Sequence, residues 1–314
     1  MPQDTAPPLP DEEPGGDRLR VVDAHQHFWD LSVNIHPWLT DPEQIPFRYG
    51  DYSAIRRTYL PADYRADWGD VTVDRSVHVE AEWERSSPVA ETRWLEGIAA
   101  REGLPSVVVG WARLDAPDVD EVLSGHATSP LVRGIRYKPA AAARAQEAIR
   151  GAAGSMDDPA FRAGYARLAA HGLSFDLQTP WWHLDAAAEL ARDFPDTTII
   201  LNHTGLPADR SEEGLAAWRR AMERLAAEPN TAVKISGLGL PGRPWTVEAN
   251  GPVIRDAIAI FGPDRAMFAS NYPVDSLVGG FATIWHGFAA AVADRPARER
   301  AALLGGNALR IYRI

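Results

Sequence analysis

Short apolar runs alternate with longer amphipathic segments along the chain from residue 19 onward. The apolar runs are rich in Val and Ile and only a few residues long, which is typical of parallel strands that are buried on both faces. Gly or Pro marks most of the boundaries, and the segments between the runs have the period of helices. This pattern predicts eight strands, at residues 20–25, 75–82, 106–115, 132–139, 173–179, 197–204, 232–238 and 266–270.

Eight alternating strands and helices predict an α/β protein with one (β/α)8 TIM barrel over residues 19–314. The competing fold is an open doubly wound sheet, which usually carries a Gly-rich phosphate-binding turn after its first strand. Here the first strand leads into Asp23-Ala-His-Gln-His27 instead, which favours the barrel. Residues 1–18 contain five Pro and several acidic residues without periodicity, so we expect a disordered N-terminal arm.

The longest stretch without a regular pattern runs from residue 29 to residue 68 and is rich in aromatic side chains. Loops of this length in compact domains are usually functional or disordered. Because aromatic residues favour packing, we expect an ordered flap over the mouth of the barrel.

Three histidines are the strongest candidates for chemistry. His25 and His27 are two residues apart at the end of the first strand, so their side chains are expected to point the same way. His203 ends the sixth strand, in Ile199-Ile-Leu-Asn-His203. The carboxyl ends of barrel strands carry the active site, and imidazoles that converge there can bind a metal or polarise an oxygen atom.

Charged residues on the fourth and fifth strands are the next candidates. Asp176 lies in an apolar strand, where an unpaired carboxylate is costly, so it needs a cationic, histidine or metal partner. Arg136 and Lys138 share one face of the fourth strand and could bind an anionic group of the substrate. The alternative for these cations is an ion pair with a neighbouring acid such as Glu80 or Asp176.

Acidic and amide side chains end the second and eighth strands. His78, Glu80 and Glu82 are expected to share one face of the second strand, with His78 in a structural position and the two carboxylates as a ligand, a base or a partner of Arg136. Asn271 and Asp275 follow the eighth strand. Asn271 can exchange hydrogen bonds, but it cannot abstract a proton.

Tryptophan is abundant, with eleven residues, and several follow the ends of predicted strands. Side chains at such positions could line a pocket for a flat, apolar or sugar-like substrate, or could simply fill space between long loops. The candidates are Trp29, Trp83, Trp181, Trp182 and Trp245.

Composition narrows the classes of protein. The net charge of −11 argues against binding to a phosphate backbone, and no apolar run approaches the roughly 20 residues that span a bilayer. Cysteine is absent, which excludes disulfides, thiolate metal sites and cysteine nucleophiles. We therefore expect a cytoplasmic protein that acts on a small molecule, with no nucleic-acid or membrane partner and with a homo-oligomer left open.

Several motifs together resemble the amidohydrolase superfamily, in its lactonase-like branch, which is similar to fuconolactonase, rhamnonolactonase and pyrone-dicarboxylate lactonase. They are Asp23-Ala-His-Gln-His-Phe-Trp29, Phe175-Asp-Leu177, Leu201-Asn-His-Thr-Gly-Leu-Pro207, Ser270-Asn-Tyr-Pro-Val274 and Gly306-Asn-Ala-Leu-Arg-Ile-Tyr312. The resemblance implies a barrel in which His25, His27 and His203 either bind one divalent metal, with Zn²⁺ as the first candidate, or hold a lactone carbonyl directly without a metal.

One position departs from the pattern of the family. Its strand-eight Asp, which activates water and often ligates the metal, falls at Asn271 here. Asp275, Asp176, Glu80 or Glu82 could take over as the base. The expected function is hydrolysis of a lactone or related cyclic ester. A non-hydrolytic reaction on a carboxylated ring (decarboxylase, isomerase or cyclase type) and a catalytically silent ligand-binding barrel are the alternatives.

Overall fold

Eight parallel strands form one sheet in the order β1 to β8, each strand pairing with the next along the chain. The computed structural model describes residues 18–314, so the expected disorder of residues 1–17 lies outside the described part. The strands are β1 (Leu19–Gln26), β2 (Val71–Val79), β3 (Val107–Trp111), β4 (Val132–Tyr137), β5 (Ser174–Leu177), β6 (Ile199–Leu201), β7 (Thr231–Ile235) and β8 (Ala266–Phe268).

The sheet closes on itself where the chain leaves β8. The backbone N–H of Asn271 donates to the carbonyl of His25 at 2.8 Å, and that of His27 donates to the carbonyl of Tyr272 at 2.8 Å. These bonds connect the last strand to the first, so the prediction of a (β/α)8 barrel is confirmed.

Helices alternate with the strands and cover the outside of the barrel. They are α1 (Pro37–Thr40), α2 (Pro61–Asp67), α3 (Ala90–Glu102), α4 (Val119–Ala127), α5 (Pro159–Tyr165), α6 (Leu184–Asp193), α7 (Glu212–Ala226), α8 (Val247–Phe261), α9 (Phe281–Ala291), α10 (Ala297–Ala301) and α11 (Asn307–Ile311). Side chains such as Phe175 and Leu201 fill the layer between strands and helices. None of these helices has both the length and the apolar character that crossing a membrane requires, within residues 18–314.

A second, smaller cluster of apolar residues fills the interior of the barrel. It includes Val77, Val79 and Ile200 from the strands. Tyr312, which follows α11, is also completely buried in this cluster. The interior is therefore a packed core below the level at which the polar residues begin.

Several strands are shorter than the sequence pattern indicated. β6 ends at Leu201 and β8 ends at Phe268, and the residues that follow them leave extended geometry. His203 and Asn271 have φ values of 54° and 56°. This left-handed backbone ends the strand but keeps the side chains at the mouth.

Residues 29–60, which we call the flap, separate β1 from α2. Trp29 and Tyr59 pair as an isolated antiparallel bridge that closes the base of the flap. Inside it, Trp38 stacks on Phe47 with ring centroids 5.9 Å apart. Arg48 and Tyr49 reach the loop that follows β8, since the Tyr49 hydroxyl lies 3.0 Å from Asp275. The flap therefore lies over the carboxyl ends of the strands.

Candidate active site

The three predicted histidines meet at the carboxyl ends of β1 and β6, in what we call the histidine cup (His25, His27 and His203). The Nε2 atoms of His25 and His27 are 3.2 Å apart, and the rings of His25 and His203 have centroids 4.7 Å apart. All three side chains are buried, with exposed fractions of 0%, 4% and 2%.

Hydrogen bonds on the far side of two rings orient the cup. Nδ1 of His27 lies 2.7 Å from the carbonyl oxygen of Val79, so this nitrogen carries the proton and Nε2 is left as an acceptor. Nε2–H of His25 then donates to His27, and Nδ1 of His25 has no partner among residues 18–314. Nδ1 of His203 is 2.8 Å from the Ser236 hydroxyl, which turns its Nε2 towards the cup.

The imidazoles of the cup are neutral at physiological pH. Burial lowers the pKa of each ring well below its usual range, because the charged form loses its hydration. The nearby cations Arg136 and Lys234 lower the pKa of His25 further, and Arg48 does so for His203. Neutral imidazoles can accept protons and can donate hydrogen bonds to an oxygen atom.

The backbone at the mouth is held in an uncommon conformation. His203, Thr204 and Asn271 all have left-handed φ values, which cost roughly 1–3 kcal/mol for residues other than glycine. Gly237, with φ of 60°, is also required to be glycine, since a Cβ there would lie 2.7 Å from Nδ1 of His203. Strained positions of this kind are typical of functional sites.

Asp275 is a buried carboxylate beside the cup. Its Oδ1 accepts from Nδ2 of Asn271 at 2.6 Å and from the Tyr49 hydroxyl at 3.0 Å, and Nη2 of Arg48 lies 3.5 Å away. Burial raises the pKa of Asp275, and these donors only partly oppose the shift. An Asp at position 271 would place two carboxylates in contact, whereas the amide of Asn271 stabilises the single charge.

The charged side chains at the carboxyl ends of β2 and β4 form ion pairs with each other. Arg136 donates from Nε to Glu80 at 2.7 Å, and Arg85 lies 3.1 Å from the other oxygen of the same carboxylate. Lys138 pairs with Glu82 near the surface. Burial opposes ionisation of Glu80, but Arg136, Arg85 and Lys138 hold its pKa below the usual range. Arg136 and Lys138 are therefore both in ion pairs with glutamates, which was the alternative to binding an anionic group of the substrate.

The expectation that His78, Glu80 and Glu82 share a face is wrong. Val77 and Val79 face the barrel interior, so His78 between them faces the helices and contacts Glu91 of α3 at 3.2 Å. The chain bends after Val79, which turns Glu80 towards Arg136, and Glu82 has a left-handed φ of 59°. Alternation along a strand ends where the strand ends.

Asp176 lies beneath the cup with a cation that the sequence analysis overlooked. Nζ of Lys234, on β7, is 2.6 Å from Oδ1 of Asp176, and both side chains are completely buried. The Tyr312 hydroxyl is 2.9 and 3.0 Å from the two carboxylate oxygens, and Asn202 donates at 3.2 Å. Because its oxygens are occupied in this way, Asp176 serves as the partner of Lys234, whose charge lowers the pKa of His25.

The tryptophans predicted to line a pocket occupy different environments. Trp29 is completely buried, with its ring 6.3 Å from that of His27, and Trp83 packs 5.3 Å from His36. Trp181 and Trp182 are half-buried in edge contact with each other. Trp245 packs against Phe288 of α9. Their predicted roles towards a substrate stay predictions.

Three further charged residues belong to the site region and were not predicted. Lys234 interrupts the apolar strand Thr231-Ala-Val-Lys-Ile235, which was an available signal of the kind that singled out Asp176. Arg48 and Arg210 lie in irregular segments, where no periodicity indicates where a side chain points. Only the folded chain brings them to the mouth.

The chain matches the sequence profile of the family described as Amidohydrolase over residues 22–314. It is 41% identical over 296 residues to an uncharacterized protein, y4mH, of Sinorhizobium fredii, covering 94% of this chain and 99% of that protein. It is 32% identical over 305 residues to an L-fucono-1,5-lactonase of Burkholderia ambifaria, covering 93% and 95% of the two chains.

A solved structure shows the same architecture. The crystal structure of an amidohydrolase from Burkholderia multivorans with bound zinc aligns with a TM-score of 0.75 and 28% identity, covering 94% of this chain and 99% of that chain. The fold and the histidine cup define a barrel enzyme of the amidohydrolase type. This chain belongs to the amidohydrolase family, and its relatives support a hydrolase.

The family raises the question of whether the residues present fit a metal. The 3.2 Å between Nε2 of His25 and Nε2 of His27 is close to the separation of about 3.3 Å between two ligands of tetrahedral zinc. Yet no group of three or more His, Cys, Asp or Glu within residues 18–314 is arranged to hold an ion, and Asn271 offers an amide. The donor set among residues 18–314 falls short of a complete metal centre. Elemental analysis of the purified protein checks the expectation of zinc.

Proposed function

We propose that this protein is a hydrolase that opens a lactone or related cyclic ester at the histidine cup. The observation that carries the proposal is the convergence of three neutral imidazoles beside a buried carboxylate, at the end of the barrel where such enzymes place their chemistry. The similarity to an L-fucono-1,5-lactonase supports a cyclic ester as the substrate class.

Asp275 is the carboxylate best suited to activate water. Asp176 is occupied by Lys234 and Tyr312, and cations hold the pKa of Glu80 and of Glu82 low. Asp275 differs because burial raises its pKa, which makes its carboxylate a stronger base. In the proposed reaction the water oxygen bonds to the carbonyl carbon, the water proton passes to Asp275, and the ring C–O bond then breaks with proton return to the ring oxygen.

The cup and Arg136 stabilise the negative charge that develops on the carbonyl oxygen. Arg136 is close enough to lower the pKa of all three histidines, so its positive charge also acts on an oxyanion held among them. Glu80 fixes the guanidinium in place through its 2.7 Å contact, which makes Arg136 a preorganised charge.

Substitution of the proposed base tests this function. Asp275→Asn keeps the size of the side chain but cannot accept the proton, so we expect the rate of lactone hydrolysis to fall by about 10²–10⁴. Asp256→Asn is the matched control, because Asp256 pairs with Arg219 between α7 and α8, remote from the mouth. Hydrolysis is followed by acid release over a panel of sugar and aromatic lactones. Equal rates for Asp275→Asn and the wild type would reject this assignment.

A second candidate is a non-hydrolytic reaction on a carboxylated ring, and Asn271 favours it. Its amide occupies the position of the strand-eight carboxylate and donates to Asp275, which reduces the availability of that carboxylate for water. This candidate predicts turnover of the ring substrate without transfer of an oxygen atom from water to the product.

A further inference from the structure

Two arginines at the mouth of the barrel carry guanidinium nitrogens that are buried without a partner. They are Nη1 of Arg48, in the flap, and both Nε and Nη1 of Arg210, in the segment after β6; none has a hydrogen-bond acceptor in the described part of the chain. A buried donor on a charged group is costly to leave unpaired, so these nitrogens are suited to an external acceptor.

Both arginines reach the same short loop after β7. Nη2 of Arg48 lies 2.8 Å from the position that a Cβ on Gly237 would take, and Nδ1 of His203 lies 2.7 Å from that position. Nη2 of Arg210 donates to the carbonyl of the next residue, Leu238, at 2.9 Å. The two guanidinium groups therefore border the cup on the side of His203.

Tyr49 packs against Arg48 and donates a hydrogen bond to Asp275. The guanidinium carbon of Arg48 is 4.7 Å from the centre of the Tyr49 ring, and that hydroxyl bonds Asp275. Burial lowers the pKa of Arg210, because the charged guanidinium loses part of its hydration.

The balance of charge in this region is positive. Asp275 is the acidic group in contact with Arg48, at 3.5 Å, and among residues 18–314 Arg210 has no carboxylate within ion-pair distance. The two guanidinium groups and the one carboxylate together carry one net positive charge, which one additional negative charge would neutralise. Arg136 and Lys138, by contrast, are each matched by a glutamate.

We propose that Arg48 and Arg210 together bind a carboxylate carried by the substrate, separate from the carbonyl group that is attacked. The preferred substrate class is then a lactone with a free carboxylate substituent. The inference rests on the proposed lactone hydrolysis for the orientation of the ring, since His203 is the residue of the cup that lies beside Arg48. Guanidinium groups suit a carboxylate because a hydrogen bond between two charged groups is roughly twice as strong as one between neutral groups.

A binding experiment tests the subsite without any turnover. The probes are D-glucarate and D-gluconate, which differ only in having a carboxylate or a hydroxymethyl group at the sixth carbon. Calorimetry of the wild type should show tighter binding of glucarate by about 10–100-fold, as expected for charged hydrogen bonds. Arg48→Gln and Arg210→Gln should each remove most of this difference, and Arg219→Gln, remote from the mouth, should keep it.

Kinetics with the corresponding lactones separate this inference from the proposed function. The ratio of kcat/KM for D-glucaro-1,4-lactone to that for D-glucono-1,4-lactone should exceed about 10 and should fall in both variants, mainly through KM. Arg48→Lys keeps the positive charge but loses the guanidinium group, so its ratio of kcat/KM should lie between those of the wild type and Arg48→Gln.

Each outcome decides one of the two claims. If glucarate binds no more tightly than gluconate, or binds equally well to the wild type and to both glutamine variants, the carboxylate subsite is rejected. If the wild type hydrolyses neither lactone nor any other in the panel, the proposed function is rejected, and calorimetry still decides on the subsite.

Discussion

Lys234 and Asp176 form an ion pair that is completely buried inside the barrel, 2.6 Å apart. Burial lowers the pKa of Lys234, and the contact with Asp176 opposes that shift, so the pair depends on both partners. Tyr312 from the C-terminal segment donates its one hydroxyl proton to this carboxylate and lies 2.9 and 3.0 Å from its two oxygens. The network connects the base of the cup to the end of the chain.

Removal of one partner of this pair should be strongly destabilising. We expect Lys234→Met to lower the free energy of unfolding by about 3–5 kcal/mol, because Asp176 would be left charged in an apolar interior. The double change Lys234→Met with Asp176→Leu should recover much of the loss. Urea unfolding measures both values, with Arg219→Gln in a partly exposed pair as the control, at less than about 1 kcal/mol. A single variant as stable as the wild type would contradict this account of the pair.

Some residues of the site could be identified from the sequence and others could not, for a physical reason. His25, His27 and His203 end apolar strands, and the strand pattern alone puts such residues at one end of a barrel. The pairing of Arg136 with Glu80 rather than with a substrate depends on where the chain bends after Val79, which alternation does not reveal.

The flap is the element that separates the cup from solvent. The three histidines are at most 4% exposed, and Trp29, at the start of the flap, stacks beside His27. We therefore expect the flap to move when a substrate reaches the imidazoles. One contact at the outer side of the flap is a backbone hydrogen bond of 2.9 Å from Glu84 to the carbonyl of Ile35.

A reversible covalent link tests this movement. The chain contains no cysteine, so Ile35→Cys combined with Glu84→Cys introduces the only possible disulfide, at two positions that backbone pairing brings within range. We expect the oxidised double variant to lose most of its turnover and the reduced form to regain it. The single variant Ile35→Cys is the control. Full turnover in the oxidised form would show that the flap does not need to open at this contact.

The elements themselves were largely predictable, but their ends were not. The apolar runs located all eight strands and their order, since consecutive parallel strands separated by helices pair in sequence. The shortness of β6 and β8 follows from the left-handed backbone at His203 and Asn271, which no hydrophobic pattern signals. The flap was predicted from its aromatic content, yet Arg48 within it has no pattern that indicates its contact with the cup.

Across the whole molecule, burial makes histidine a source of acid sensitivity. Burial lowers the pKa of six histidines below the usual 6.5, so the unfolded chain binds protons that the folded chain does not. They are His25, His27, His36, His126, His183 and His203. Their contribution to stability is complete above pH 6.5 and is lost as the pH falls from there towards the folded pKa values.

His126 offers a clean test because it lies outside the cup. It is completely buried, with its ring nitrogens 2.8 Å from the Trp111 carbonyl and 3.0 Å from the Thr92 hydroxyl. We expect the free energy of unfolding of the wild type to fall as the pH is lowered from 7.5 to 5.5. The slope for His126→Gln should be smaller than that of the wild type, by up to about 1.4 kcal/mol per pH unit. Urea titrations at several pH values measure both slopes. Parallel curves for the two proteins would show that His126 does not contribute.

The origin of the oxygen atom in the product tests the central claim most directly. If the cup hydrolyses a lactone, turnover in ¹⁸O-labelled water should place one label in the newly formed carboxylate, and His203→Asn should slow that incorporation by about 10² or more. Products that form without the label, or equal incorporation by His203→Asn and the wild type, would contradict hydrolysis at the histidine cup.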